Sequence, residues 1–344
     1  MQILTYIIRR LLLLIPVLIG VTILTFVIMR SAGDPTFAYS QNPEKLTDEQ
    51  YRLIREKYHL DDPLYIQYYY WLDAILHGDW GYSRAGKGPV FEVIAERFPA
   101  TFELALIATF FSVFIGILLG TVSAVRVNSA IDQITRIISL IAVSIPVFWL
   151  AIVLQMIFFY DLHWFPLHDR YDDLLFNELF FQQLNIRTNF LLIDGILNWK
   201  WDLFFNALWH LVLPAIALAF VSTALIIRMM RASMLEVLGA EYVQTARSKG
   251  VPEKIVIKKH ARRNALIPTV TVVGLSFGGL LGGAVLTETV FDWDGLGWWS
   301  ARAATSLDTA GIMGFTLLTA IIYVLSNLIV DITYAYLDPR VRLG

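Results

Sequence analysis

The chain has 344 residues, 57% of them hydrophobic and 16% charged, whereas soluble domains carry about a quarter charged residues; with a mean hydropathy of +0.60, composition excludes an ordinary water-soluble domain. There is no cysteine, so disulfides, thiolate metal sites and cysteine nucleophiles are excluded as well. The net charge of −2 says nothing about partners until it is divided by side of the membrane.

Crossing the hydrocarbon core takes about 20 mostly apolar residues in a helix. Six stretches qualify, at 9–30, 101–125, 136–160, 207–230, 269–289 and 311–337. The expected fold is therefore all-α and integral to the membrane. The first stretch, Leu11 to Met29, is followed by Arg30 and polar chain and lacks the short apolar region and small-residue cleavage site of a signal peptide, so it reads as a retained span.

Between the first two spans lies a polar insert, 31–98. Thr47 with Gln50 three residues on forms a capping box for a helix through Leu53, Ile54 and Tyr58. Asp62 and Pro63 start another through Ile66, Tyr70 and Trp71. Both read as interfacial or exofacial helices. In the third span, Pro146 predicts a kink. The segment 161–206 is rich in Phe, Leu and Trp, including Trp199 and Trp201, which suits the lipid headgroup level or the underside of a docked partner, the former being favoured.

Charge divides the connecting segments. With the N-terminus inside, the segments 1–10, 126–136, 228–263 and 338–344 hold fifteen Lys and Arg against five acids, and the outer segments hold the other twelve on about twice the length. The positive-inside bias thus places both termini in the cytoplasm, mainly through 228–263. The chain divides into a first transmembrane helix (1–30), an extracellular helical insert (31–98), a core (99–337) with an outer loop at 161–206 and a cytoplasmic loop at 231–268, and a tail (338–344).

The cytoplasmic loop is the most informative stretch. Leu235, Leu238, Tyr242 and Ala246 recur at three- and four-residue steps, predicting an amphipathic helix. Gly250 stops it, and Pro252 opens a second helix through Ile255, Val256 and His260 to Pro268, so the loop is two short helices joined by a tight turn. By composition alone it suits anionic headgroups, each Lys or Arg being worth about 1 kcal/mol.

Its sequence, however, "EYVQTARSKG", resembles the coupling-loop motif of ABC-importer permease subunits, in the dipeptide/oligopeptide branch of the binding-protein-dependent family. The small-residue triplet of that motif is Gln244, Thr245 and Ala246, and its glycine is Gly250. Arg262 and Arg263 stand before "NALIP" where many members have Leu-Pro, a change common in the oligopeptide branch. The resemblance covers nearly the whole chain. "RRLLLLIPVLIGVTILTFVIMRSAGDP" resembles the first span, with Ala32 where proline is usual. "DDPLYIQYYYWLDAILHGDWGYS", "HLVLPAIALA" and "NLIVDITYAYLDPRVR" resemble the outer segment, the fourth span and the C-terminal end. "ETVFDWDGLGWW" resembles the loop between the fifth and sixth spans, with Asp294 in place of a usual proline.

The resemblance implies a type I ABC importer permease fold with six transmembrane helices, paired with a second homologous permease, two cytoplasmic ATPases and an extracellular solute-binding protein. Glu241, Gln244, Thr245, Ala246, Arg247, Lys249 and Gly250 would meet the ATPase, Arg247 and Lys249 supplying charge, while Glu236 and Glu241 would pair with bases one turn away. Asp294, Gly295, Leu296, Gly297 and Asp308 would take part in docking the binding protein. The expected cargo is a peptide, with oligosaccharides as the alternative. The sequence holds no G-x-x-x-x-G-K-[ST] loop, so ATP and Mg would sit on the partner subunits and the chain itself would hold no cofactor.

Other chemistry is weakly signalled. Asp331 in the sixth span, four residues after Asn327, suits an ion-coupled carrier, but its nearness to the span's end favours a structural role. His163, His168 and Asp169 lack a firm third ligand, so no metal is expected. Neither a catalytic residue nor a nucleic-acid partner is expected, and the remaining class is a membrane scaffold without transport.

Overall fold

The apolar stretches become long helices. In the computed structural model, which describes residues 3–31, 33–40, 45–282 and 284–337, five helices are long and apolar enough to cross a membrane, or six if one sharply bent pair counts as one span. The tail at 338–344, the Ala32 replacement and the side chain of Asp331 lie outside the described residues.

The first helix, α1 (Ile3–Ser31), leaves Leu12, Leu13, Val17 and Leu24 exposed, as suits a lipid-facing span. The insert follows. Asp34 caps a 3-10 turn at Pro35–Tyr39, its carboxylate accepting the Thr36 N–H at 2.9 Å. The helix α2 (Asp48–Lys57) carries the expected capping box, Thr47 Oγ1 accepting from Gln50 N at 3.3 Å and Gln50 Oε1 from Thr47 N at 3.1 Å. The next, α3 (Leu64–Leu76), begins behind Pro63 as expected and lies against α1: Trp71 packs on Phe26 and Met29, and the Tyr68 and Thr22 hydroxyls meet at 2.9 Å. A two-stranded hairpin, β1 (Tyr82–Ser83) and β2 (Gly88–Pro89), closes the insert.

Two helices form the spine: α4 (Val90–Val125), with 36 residues, and α9 (Trp201–Leu238), with 38. At helical rise each is about 55 Å long, well beyond the hydrocarbon thickness. They pack closely because α4 presents small residues every fourth position. Ser112 Oγ donates to its own helix and to Ala219 O, and a Cβ on Gly120 would come within 2.9 Å of Ile227 O. Between them in sequence run α5 (Ala130–Ser144), α6 (Val147–Gln155) and the short α7 (Glu178–Gln182) and α8 (Leu191–Leu197).

Three expectations are corrected. The third span is not one kinked helix: α5 and α6, the latter continued by a π-helical turn to Asp161, meet at 101°. Pro146 holds Ile145 extended (φ −83°, ψ 125°), which ends α5 at Ser144 and lets α6 restart in a new direction. The amphipathic helix around Leu238 is not continuous either. Gly239 and an extended Ala240 (φ −69°, ψ 146°) separate α9 from α10 (Glu241–Ser248), so Val243 and Ala246 turn inward and Tyr242 outward. Finally, the second loop helix does not stop at Pro268. α11 (Glu253–Ile255) runs through a π-helical turn at Val256–Ala261 into α12 (Arg262–Leu281), so the fifth span begins inside the basic loop.

The chain ends with α13 (Val285–Val290), α14 (Leu296–Thr305) and α15 (Thr309–Leu337). α15 packs on α12 where glycines leave room, Gly278 against Ser326 and Gly282 against Thr319. The bundle thus has an insert end, where Val90, Leu296, Trp299 and Ala310 form a core, and a basic end, where Ala124, Met230, Met234 and Ala265 form another.

Candidate functional site

The basic end carries a clasped elbow. After Ser248 the chain reverses through Gly250, which sits at φ +74° with nothing within 4 Å of an added Cβ, so conformation and not crowding selects glycine there. Gly250 N–H donates to Arg247 O at 2.9 Å and Val251 N–H to Ala246 O at 3.2 Å, the paired bonds of a Schellman cap. Val251 then packs with Val243, Ala246 and Val256, a small core between α10 and α11.

Arg247 closes the elbow. Its guanidinium grips Glu253 at 2.7 Å (Nη2–Oε1) and 3.2 Å (Nε–Oε2), and Nη1 reaches Leu238 O, at the break after α9, at 3.4 Å. The carboxylate raises the guanidinium's pKa. Arg247 thus pairs across the turn with Glu253 of α11, and among the described residues no ion pair joins Glu236 or Glu241 to a base one turn away. Tyr242 OH accepts from Asn264 Nδ2 at 2.8 Å, tying α10 to α12. Of the seven sequence-predicted residues, Glu241, Gln244, Thr245, Lys249 and Gly250 are exposed on this elbow, Ala246 is buried beneath it and Arg247 is half-buried.

The insert end is organised by a buried carboxylate. Glu288 accepts from Thr101 Oγ1 at 2.8 Å and from Trp298 N at 3.0 Å, and Thr101 Oγ1 accepts from Leu296 N at 2.8 Å. The 291–298 loop is thereby fastened to α4, and Trp293 Nε1 donates to Ala100 O at 3.1 Å beside it. Gly295, Leu296 and Gly297 are buried in this knot, where a Cβ on Gly295 would meet Glu288 and Thr101. Asp308 is buried too, accepting from Ser83 Oγ, Ala85 N and Gly311 N. Of the five residues predicted for docking, Asp294 alone reaches the surface, paired with Arg97; the other four are buried.

Beside the knot, Arg170 Nη2 donates to Glu103 Oε2 at 3.0 Å and to Asn189 O at 2.9 Å, which pins the 161–206 segment to α4. A polar cleft of about 790 Å³ opens there, lined among others by Glu96, Arg97, Arg170, Asp173, Asp292 and Asp294. His168 pairs with its neighbour Asp169, and among the described residues no three His, Asp or Glu side chains are grouped to hold a metal ion.

Residues 116–343 match the family model described as "Binding-protein-dependent transport system inner membrane component", and residues 3–105 match the model of its N-terminal region. The chain belongs to this family. It is a multi-pass inner-membrane protein of a prokaryote. Its relatives include the dipeptide transport system permease protein DppB of Alkalihalophilus pseudofirmus, 40% identical over 98% of this chain and 99% of the relative. The probable D,D-dipeptide transport system permease protein DdpB of Escherichia coli is 40% identical over 96% and 95%. The oligopeptide transport system permease protein AppB of Bacillus subtilis is 39% identical over 98% and 99%.

Sequence reasoning missed Glu103, Glu288 and the Asp132–Arg231 pair, all buried or nearly so. The signal that points to them is a charge inside or at the end of an apolar span, the same signal that Asp331 gives.

Proposed function

We propose that this chain is the transmembrane permease subunit of an ATP-driven, binding-protein-dependent ABC importer for peptides, forming half of the translocation pathway. It spans the membrane six times, α5 and α6 counting as one span, with both termini cytoplasmic as the Lys and Arg distribution favours. The observation that carries this reading is the elbow. A helix of eight residues, capped at Gly250 and clasped by Arg247 to Glu253, is mounted on two spanning helices and offers Gln244, Thr245 and Lys249 to a partner. A helix so held passes on a push as a rigid-body displacement of α9 and α12. Peptide cargo is supported by the names of the three relatives above, which concern dipeptide or oligopeptide transport.

The partners are a second homologous permease, which completes the pathway, two cytoplasmic ATPases, which bind ATP and Mg, and an extracellular solute-binding protein. Asp292, Asp294 and Trp298, at the rim of the polar cleft, form the centre of the binding protein's docking face. The chain itself catalyses no reaction. The test is dipeptide uptake by the complete complex in proteoliposomes. Uptake should require ATP and the ATPase subunits, and Gly250→Val should abolish it in a complex that still assembles. Uptake that persists without the ATPases overturns the reading.

A further inference from the structure

A second fully built cluster sits near the elbow and has no part in it. Asp132, in the first turn of α5, is completely buried. Its carboxylate accepts a two-pronged grip from Arg231 of α9, Nε to Oδ1 at 2.7 Å and Nη2 to Oδ2 at 2.9 Å. Ser123 Oγ of α4 donates to Oδ1, and Asn128 N–H to Oδ2 at 3.0 Å. Four donors on one carboxylate satisfy a charge that burial would otherwise make costly. Three helices meet at this one group.

Its position gives the cluster a mechanical meaning. Arg231 lies seven residues before Leu238, about 10 Å along α9 at helical rise, and Leu238 is where the elbow's own Arg247 takes hold. On its own length, α5 packs along α9 and α4 through a narrow face of mostly small residues. It buries only Asp132, Thr135, Ser139 and Ala142 and exposes Ile134, Ile137, Ile138 and Ile141. Among the described residues, the fork to Arg231 is the one ion pair it makes. Beyond it, α5 ends at the 101° joint with α6.

We propose that the Ser123–Asp132–Arg231 clamp is the joint that carries displacement of the elbow into α5, and that Asp132 and Arg231 are positioning residues for transport. The inference rests on the ABC permease reading above. A buried ion pair is weak as a source of stability, since apolar residues of similar volume replace it at little loss, but its fork fixes the register of two helices. When α9 shifts at its base, α5 must follow as a rod and the bend at Pro146 takes up the movement.

The experiment uses the complete complex in proteoliposomes and measures peptide taken up per ATP hydrolysed. Asp132→Asn should lower that ratio by about tenfold, inside the usual span of site-to-site coupling, with ATP hydrolysis still within about twofold of the unaltered complex. Should Asp132→Asn fail to assemble, the double variant Asp132→Leu with Arg231→Met removes the fork without leaving a buried charge, and Arg231→Lys keeps the charge without the fork. Both should assemble with the thermal midpoint largely kept, yet show the lowered ratio. A double variant that recovers midpoint and ratio together makes the pair a stability device and overturns the inference, as does any assembled variant with an unchanged ratio. The unaltered complex separates the two claims. If its uptake does not need ATP, the permease reading fails; if it does and the variants couple normally, only the clamp fails.

Discussion

Gly250 is the residue on which the elbow turns, and its φ of +74° sets what a substitution does. A β-branched residue there is strained by about 1–2 kcal/mol, and the surroundings leave open space for its side chain. Gly250→Val should therefore leave expression and assembly near normal while uptake and ATP hydrolysis lose their coupling, which a paired assay on one preparation reads directly. Glu288 is the opposite case. Glu288→Ala leaves Trp298 N–H and Thr101 Oγ1 buried without their acceptor, a loss on the order of 3 kcal/mol. The thermal midpoint of the purified complex should fall clearly, and by less for Glu288→Gln, which keeps an oxygen in place. The two residues differ equally in how far the sequence reveals them. Gly250 is local, since a helix stop four residues after Ala246 with Pro252 behind it can be read from the segment itself. Glu288 is held by Thr101, 187 positions away, and no spacing along the chain carries that pairing.

Elements assembled by short-range rules were legible, and those shaped by packing were not. Thr47 and Gln50 announced α2 because a capping box is complete within four residues. Pro146 announced a break but not its size, because the 101° turn is fixed by what α5 and α6 separately pack against. The close pairing of α4 with α9 was written in Ser112, Gly116 and Gly120, a four-residue repeat of small residues that hydropathy alone passes over. It supports a contrast between two glycines. Gly120→Ala drives a Cβ against Ile227 O at 2.9 Å and Met230 Cβ at 2.8 Å, whereas Gly279→Ala meets nothing within 4 Å. Gly120→Ala should lower the thermal midpoint by an amount equivalent to about 1–3 kcal/mol, and Gly279→Ala should be neutral; equal effects would argue against the α4–α9 contact. The insert allows a pH prediction. Burial raises the pKa of Asp34, but hydrogen bonds from Tyr51 and Thr36 and the charge of Arg55 outweigh it, leaving the group below its usual value. A depressed carboxylate stabilises the fold above its unfolded pKa, near 3.9, and loses that contribution as pH falls through the lower folded value. Limited proteolysis of the insert should thus be flat from neutral pH to about 4 and rise only below it.

Across the whole molecule, α4 links two knots of buried charge. Near one end Thr101 and Glu103 hold the loops through Glu288 and Arg170, and near the other Ser123 meets Asp132 and Arg231. With α9 packed along it, this spine would, on the proposed function, let a displacement at the elbow appear at the insert end with little loss in between, since packed cores shift as units and do not deform continuously. Such a relay needs the two ends on opposite sides of the membrane, with the elbow in the cytoplasm. The charge distribution predicts that arrangement, through the nine Lys and Arg between 228 and 263. A chain without cysteine makes the test direct. Arg52→Cys, on the exposed surface of α2, should react with a membrane-impermeant maleimide on intact cells, and Lys249→Cys only after permeabilisation. The reverse pattern would place the elbow where no ATPase can reach it. Thr245→Cys adds the final discrimination, because its side chain stands on the exposed face of α10. In permeabilised membranes it should label freely in the chain without ATPases and lose that labelling when they bind, whereas Arg52→Cys should not respond. A Thr245→Cys that labels equally in both preparations would mean that the ATPase grips some other surface, and the rigid path from elbow to insert would have no driver.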